Sequence, residues 1–357
     1  MAANCKCCGV PRLLSLTNSW RDGCIVDTTS GVANLFIYEA SYTTELMLKV
    51  EETLGIPLQH IVYLAGTNAL VKVLGSLYDS RPHMSRMLFS APMHRLTERI
   101  LVAVGRAIGV CKVDITERKR GKRTRVRIHN PFDLTNCLAV ISGILQLADK
   151  VPFTYEILSD NGSYLVQFTP SPEQADKEAF QRLIADELTP EETEKHKDFP
   201  CCKKCGMPLE VSDQYSFDMG KGLIMDKDGG ERVVFMGTHG LNTIIRELER
   251  ELGPSINQLF VEFERENFTK KLEGPLKDKN LIGDLELREY LSLRGLGLLS
   301  EMSLEGTKIH FVVENAFIAP LVAGRLLALC ERDFGRQCYY DFSVENHTLY
   351  LILQPRT

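Results

Sequence analysis

The sequence predicts an α/β chain of the α+β type. It reads as an internal duplication of two similar domains, each a small antiparallel sheet packed with helices and preceded by a Cys-x-x-Cys knuckle. Three observations carry this. Two stretches match, Cys5-Lys6-Cys7-Cys8-Gly9-Val10-Pro11 and Cys202-Lys203-Lys204-Cys205-Gly206-Met207-Pro208, and each has the form Cys-x-x-Cys-Gly-x-Pro. The segments C-terminal to the two knuckles also match, in the same order. A shift of 199 carries Gly23–Asp27 onto Gly222–Asp226, and a shift of 198 carries Leu46, Met47, Val50 and Gly55 onto Ile244, Ile245, Leu248 and Gly253. A shift of 185 carries Gly121, Asn130, Phe132, Tyr155 and Pro170 onto Gly306, Asn315, Phe317, Tyr340 and Pro355. Finally, 357 residues exceed one typical core. The chain therefore divides into 1–170, a first knuckle with a ligand-binding-like α/β domain; 171–199, an acidic helical linker; and 200–357, the second copy.

In the first copy, Leu13–Leu16, Gly23–Asp27 and Val32–Tyr38 read as short apolar strands. Ser41, Thr43 or Thr44 is placed to cap a helix running to Leu54, closed by Gly55. Pro57 opens a second helix to about Tyr78, and a third runs from Met93 to Ile108. Strands follow at Val110–Thr116 and Arg125–His129. The stretch Phe132–Ala148 is apolar on nearly every side and predicts a buried helix. A hairpin of Phe153–Leu158 and Ser163–Phe168 turns at Asn161-Gly162. In the linker, Pro172, Ala175, Ala179, Leu183 and Ile184 predict a short amphipathic helix.

A net charge of −5 argues against a nucleic-acid binder. No apolar run approaches the roughly 18 residues of a membrane span, and Met1-Ala-Ala-Asn-Cys5 lacks the basic and apolar regions of a signal peptide. A cytoplasmic location is expected. Of the eleven cysteines, six crowd the knuckles, which suits metal chemistry in a reducing compartment better than a disulfide framework.

One knuckle supplies two thiolates and a closed zinc site needs four. Neither half has a second knuckle, so the economical site is Cys5, Cys8, Cys202 and Cys205 around one zinc, clamping the halves; an iron–sulfur cluster uses the same ligands and is the alternative. The stretch Arg118–Arg127 holds seven cations around Gly121. Arg118, Lys119, Arg120, Lys122 and Arg123 are candidate contacts for an anion or partner, against the plainer reading of a solvated hairpin. The scattered histidines form no pair or triad, no phosphate loop or dinucleotide fingerprint is present, and nothing in the chain demands an enzyme. The apolar helices can enclose a pocket, with Ile61, Leu64, Leu134, Leu138 and Ile141 in the first half and Ile256, Phe260, Phe263, Phe317 and Leu321 in the second; plain core packing is the competing reading for each.

The run Val312-Val-Glu-Asn315-Ala-Phe317, the apolar helix after it and Tyr339-Tyr340-Asp-Phe342, together with Asn130-Pro-Phe132 in the first half, resemble the 4-vinyl reductase domain. That family is similar in fold to TRAPP subunits and to sensor domains of phenol- and xylene-responsive activators. The resemblance implies binding of a hydrophobic or aromatic ligand or a tetrapyrrole, and dimerisation through helices. It also implies a Cys-rich metal patch late in the domain, near Cys330 and Cys338. The expected function is a non-catalytic sensor or binding protein for a small apolar or aromatic ligand, with a protein partner and a homodimer as further expectations. The alternatives are an enzyme or accessory factor of tetrapyrrole or aromatic metabolism, and a protein-interaction scaffold.

Overall fold

The computed structural model describes residues 4–79, 94–171, 183, 188–193, 199–274, 276–277 and 283–356. The amphipathic helix expected at 172–184 lies outside them, Leu183 apart. In the first half the order is α1 (Arg12–Thr17), β1 (Asn18–Arg21), β2 (Cys24–Asp27), β3 (Ala33–Glu39), α2 (Ala40–Leu54), α3 (Gln59–Asp79) and α4 (His94–Ala107). Then come β4 (Lys112–Lys119), β5 (Arg123–His129), α5 (Leu134–Asp149), β6 (Phe153–Asp160) and β7 (Tyr164–Pro170). The second half runs α6 (Leu209–Gln214), β8 (Tyr215–Asp218), β9 (Leu223–Asp226), β10 (Arg232–Gly237), α7 (Thr238–Leu252), α8 (Ser255–Glu273) and α9 (Asp284–Arg294). It closes with β11 (Leu298–Glu305), β12 (Lys308–Glu314), α10 (Ala319–Phe334), β13 (Cys338–Glu345) and β14 (Thr348–Pro355). The two halves are similar sheet–helix units, as the sequence predicts.

Two local expectations are corrected. Leu13–Leu16 is not a strand but the body of α1, which begins after its N-cap Pro11. The helix after β3 is capped by none of Ser41, Thr43 and Thr44. Its N-cap is Glu39, which makes no side-chain cap because its carboxylate is bound elsewhere.

The halves join through one sheet. Its order is β1-β2-β3-β10-β9-β8, with β3 antiparallel to β10 and Phe36 opposite Met236. Side chains alternate along these strands. Ile37, Leu35, Val233 and Phe235 turn to a small core shared with Val10, Leu14, Met207 and Val211, beneath the knuckles. Phe36, Tyr38, Val234 and Met236 turn to the large helical core. The other two sheets, β4-β5-β7-β6 and β11-β12-β14-β13, each carry one long helix: α5 lies on α3, and α10 on α8.

Each of these outer sheets is seated on the opposite half. The Gly297 N–H donates to the Gly23 carbonyl (3.0 Å), and Phe235 N–H to the Ile108 carbonyl (2.9 Å). Gly23 (φ 78°) and Gly222 (φ 67°) sit where the chains cross, and a Cβ on Gly23 would stand 2.3 Å from the Gly297 carbonyl carbon. Asn315 and Asn130, both left-handed, donate side-chain N–H groups to the carbonyls of Asp22 (3.0 Å) and Lys221 (3.2 Å). The division at 1–170 and 200–357 is thus a division of the sequence; in space the units interlock. The described part of the linker runs along the seam, with Ala33 N–H donating to the Leu188 carbonyl and Glu191 N–H to Asn315 Oδ1.

Candidate functional site

The two knuckles fold identically. Cys5 N–H donates to the Val10 carbonyl and Gly9 N–H to the Cys5 carbonyl, and Cys202, Met207 and Gly206 repeat this, all at 2.8 Å. Gly9 (φ 80°) and Gly206 (φ 74°) take the left-handed turn that closes each loop. The strand pairing of β3 with β10 brings the loops together. Cys5 Sγ lies 3.9 Å from Cys202 Sγ and Cys8 Sγ 3.5 Å from Cys205 Sγ, and all four sulfurs fall within 4.8 Å of one another. Four thiolates at tetrahedral zinc distance stand about 3.8 Å apart, so the donor set fits one closed site.

The backbone supports thiolates there. The N–H groups of Cys8 and Cys7 face Cys5 and pull its thiol below the ordinary value; those of Lys204 and Cys205 act on Cys202, bringing it to about 6. Burial pushes Cys8 up to about 12 and raises Cys205 as well. Sulfurs this close share negative charge poorly unless a cation stands among them. Among the described residues no second group of three or more metal-ligand side chains converges. Cys330 and Cys338, where the resemblance implies a metal patch, are buried thiols raised by desolvation.

The second candidate is a partly open cavity of about 320 Å³ between α3, α4, α5 and the start of α7. Its walls are mainly apolar, among them Leu70, Val73, Val104, Ile108, Val140 and Ile144. Asn18, Asn34, Asn136 and the buried His239 add polar groups. This is about twice the volume, about 150 Å³, of an engineered cavity that admits benzene. The residues expected to line a pocket are not on this cavity's wall, and Leu64 borders a separate cleft of about 510 Å³ with His60 and Tyr63. Leu138, Ile141, Ile256, Phe260, Phe263, Phe317 and Leu321 are core residues, with Ile61, Leu64 and Leu134 packed against them. Ile141 also borders a narrow crevice of about 50 Å³. The cavity opens on neighbouring positions of the same helices.

The sequence reading missed a buried ion cluster that joins Glu39 of the first half to residues of the second. Arg325, wholly buried on α10, donates Nε to Glu264 and Nη2 to Glu39 (both 2.5 Å) and Nη1 to the Tyr290 hydroxyl (2.7 Å). Lys271 Nζ and Arg294 Nη1 reach the other Glu39 oxygen at 2.7 and 2.9 Å. Burial alone would raise the Glu39 carboxyl, but Arg294, Arg325 and Lys271 outweigh it and hold it well below the carboxylate range. The available signal was a single arginine inside the apolar run Leu321–Leu329.

The basic hairpin is largely neutralised within the fold. Arg118 pairs with Glu98 (2.7 Å) and Asp149 (2.9 Å), and Arg120 joins Asp149 at 3.3 Å. Lys119 and Arg123 pair with Glu117 at 2.9 and 2.7 Å, while Lys122 is exposed.

Among the described residues, no helix is long and apolar enough to cross a membrane. No protein-family model matches the chain, so the likeness to the 4-vinyl reductase domain stands on the residue pattern alone; no curated protein matches it either. Among solved structures the chain is distantly similar to the crystal structure of the phenol-responsive sensory domain of the transcription activator PoxR with phenol. That match has 16% sequence identity and a TM-score of 0.32, and it covers 41% of this chain and 87% of that one.

Proposed function

We propose that the chain is a non-catalytic binding or sensor protein for a small apolar molecule, held in the first-half cavity, with one structural zinc clamping the two halves. The observation that carries the ligand reading is the cavity, a mainly apolar space walled by α3, α4, α5 and the start of α7. The clamp is supported by the convergence of Cys5, Cys8, Cys202 and Cys205, two from each half. Zinc suits four thiolates in a closed site and supplies folding energy there; the same sulfurs would accept iron, which metal analysis separates.

Gly105 offers a clean test. It lies inside α4 on the cavity wall, and nothing stands within 4 Å of where its Cβ would be. Gly105→Leu should fill the cavity and, by helix propensity, stabilise the fold by up to ~1 kcal/mol. The expected result is loss of binding of a neutral naphthalene-sized probe with an unchanged circular dichroism spectrum and one zinc per wild-type chain by elemental analysis. Failure of the wild type to bind any such probe sinks the ligand reading, and metal-free protein from anaerobic purification sinks the clamp.

A further inference from the structure

The cavity has a counterpart place in the second half, and that place is full. Across α3 and α5, a Cβ on Gly66 would meet the Ala139 Cβ at 3.0 Å; across α8 and α10, a Cβ on Gly324 would meet the Glu264 Cβ at 2.7 Å. From this shared crossing the positions follow along each element. Val140 comes after Ala139 as Arg325 comes after Gly324. Val73 lies two turns beyond Gly66 as Lys271 lies two turns beyond Glu264. Ile108 precedes the left-handed Gly109 as Arg294 precedes the left-handed Gly295. Gly237 is the N-cap of α7 as Glu39 is that of α2.

Gly66, Val73, Ile108, Val140 and Gly237 line the cavity, and their counterparts Glu264, Lys271, Arg294, Arg325 and Glu39 form the ion cluster. Three cations are exchanged for Val73, Ile108 and Val140, and two carboxylates for Gly66 and Gly237. We infer that the chain has one such ligand site, not two, and that it takes an uncharged molecule, because at the counterpart place the chain's own Arg325 and its carboxylate partners Glu39 and Glu264 occupy the equivalent space. This rests on reading the cavity as a ligand site.

The charge argument is one of magnitudes. No lysine or arginine is among the described residues on the cavity wall, and its one carboxylate, Asp27, accepts from the N–H groups of Thr29 and Ser30 at 2.8 Å. The uncapped N-terminus of α7 reaches the cavity through Gly237, His239 and Gly240 and favours an anion by about 5-fold, at most about 30-fold. Burying an unpaired carboxylate opposes binding by about 1,000-fold or more. At the matching place in the second half, the Glu39 carboxylate is met by three cations.

The test titrates the full chain with naphthalene-2-methanol and with 2-naphthoate, which share a ring system and differ in charge. The alcohol should bind one per chain by calorimetry, and the carboxylate at least about 100-fold more weakly. Two alcohols per chain, or a carboxylate bound within tenfold of the alcohol, overturns the inference and leaves the cavity reading standing. Binding of neither probe overturns the cavity reading and this inference with it. Gly105→Leu, with Ala69→Leu as a second block should the first misfold, must abolish alcohol binding; unchanged binding in a folded variant would place the probe elsewhere and overturn the assignment.

Discussion

Glu39 gathers three ion pairs between the halves. It ends β3 in the first half, yet its carboxylate is held by Lys271, Arg294 and Arg325, all from the second. Removing one partner of a buried charge set leaves the others uncompensated, which typically costs about 3–5 kcal/mol. Glu39→Gln should therefore lower unfolding free energy by about that amount in urea titrations. The sign with pH follows from its depressed carboxyl. Its contribution is full above the ordinary glutamate value of about 4.3 and is lost as pH falls through the lower folded value. Wild type should lose stability below about pH 4 more steeply than Glu39→Gln; parallel acid slopes would show that Glu39 does not govern the acid limb.

At the scale of elements, the crossing of β2 with the turn before β11 sets how closely the halves approach. Gly9 and Gly23 are both left-handed, but a Cβ on Gly9 would meet nothing while one on Gly23 would strike the Gly297 backbone. Gly9→Ala should cost about 1–2 kcal/mol from conformational strain alone, and Gly23→Ala clearly more; equal losses by urea denaturation would mean that the crossing is not tight. Much of this level was legible in the sequence. The knuckles, the matching order of elements and helix α5 are local patterns, with spacing fixed by thiolate pairs or by a 3.6-residue period. The pairing of β3 with β10 was not legible, since a strand's apolar alternation names a face and never a partner. The ion cluster escaped for a related reason: Arg325 stands out in an apolar helix, but its satisfaction needs Glu39 and Glu264 from distant segments. The cavity is still harder to read, because it is made by side chains that Gly66, Gly105, Gly237 and Gly240 do not have.

For the whole molecule, the shared sheet, the four sulfurs and the Glu39 cluster all tie the halves together. Metal held by a folded site adds its binding energy to folding, about 4 kcal/mol when free metal is a thousandfold above its dissociation constant. A strong chelator should lower the melting temperature of both halves in one transition, followed by Trp20 fluorescence and far-ultraviolet circular dichroism together; two separated transitions would show that the halves are independent. The shared sheet also has a consequence for synthesis. Until residues near Gly237 leave the ribosome, β3 has no neighbour on its open side, and Glu39 has no cation until Lys271 follows. At about 5–20 residues per second, the roughly 200 residues between β3 and β10 take about 10–40 s to make. Throughout that interval the nascent first half presents an unpaired apolar edge, the kind of surface on which strands of other chains add. Its counterpart arrives only when the second half is well under way, so this protein is exposed to mispairing during translation for far longer than two independent domains of the same length would be.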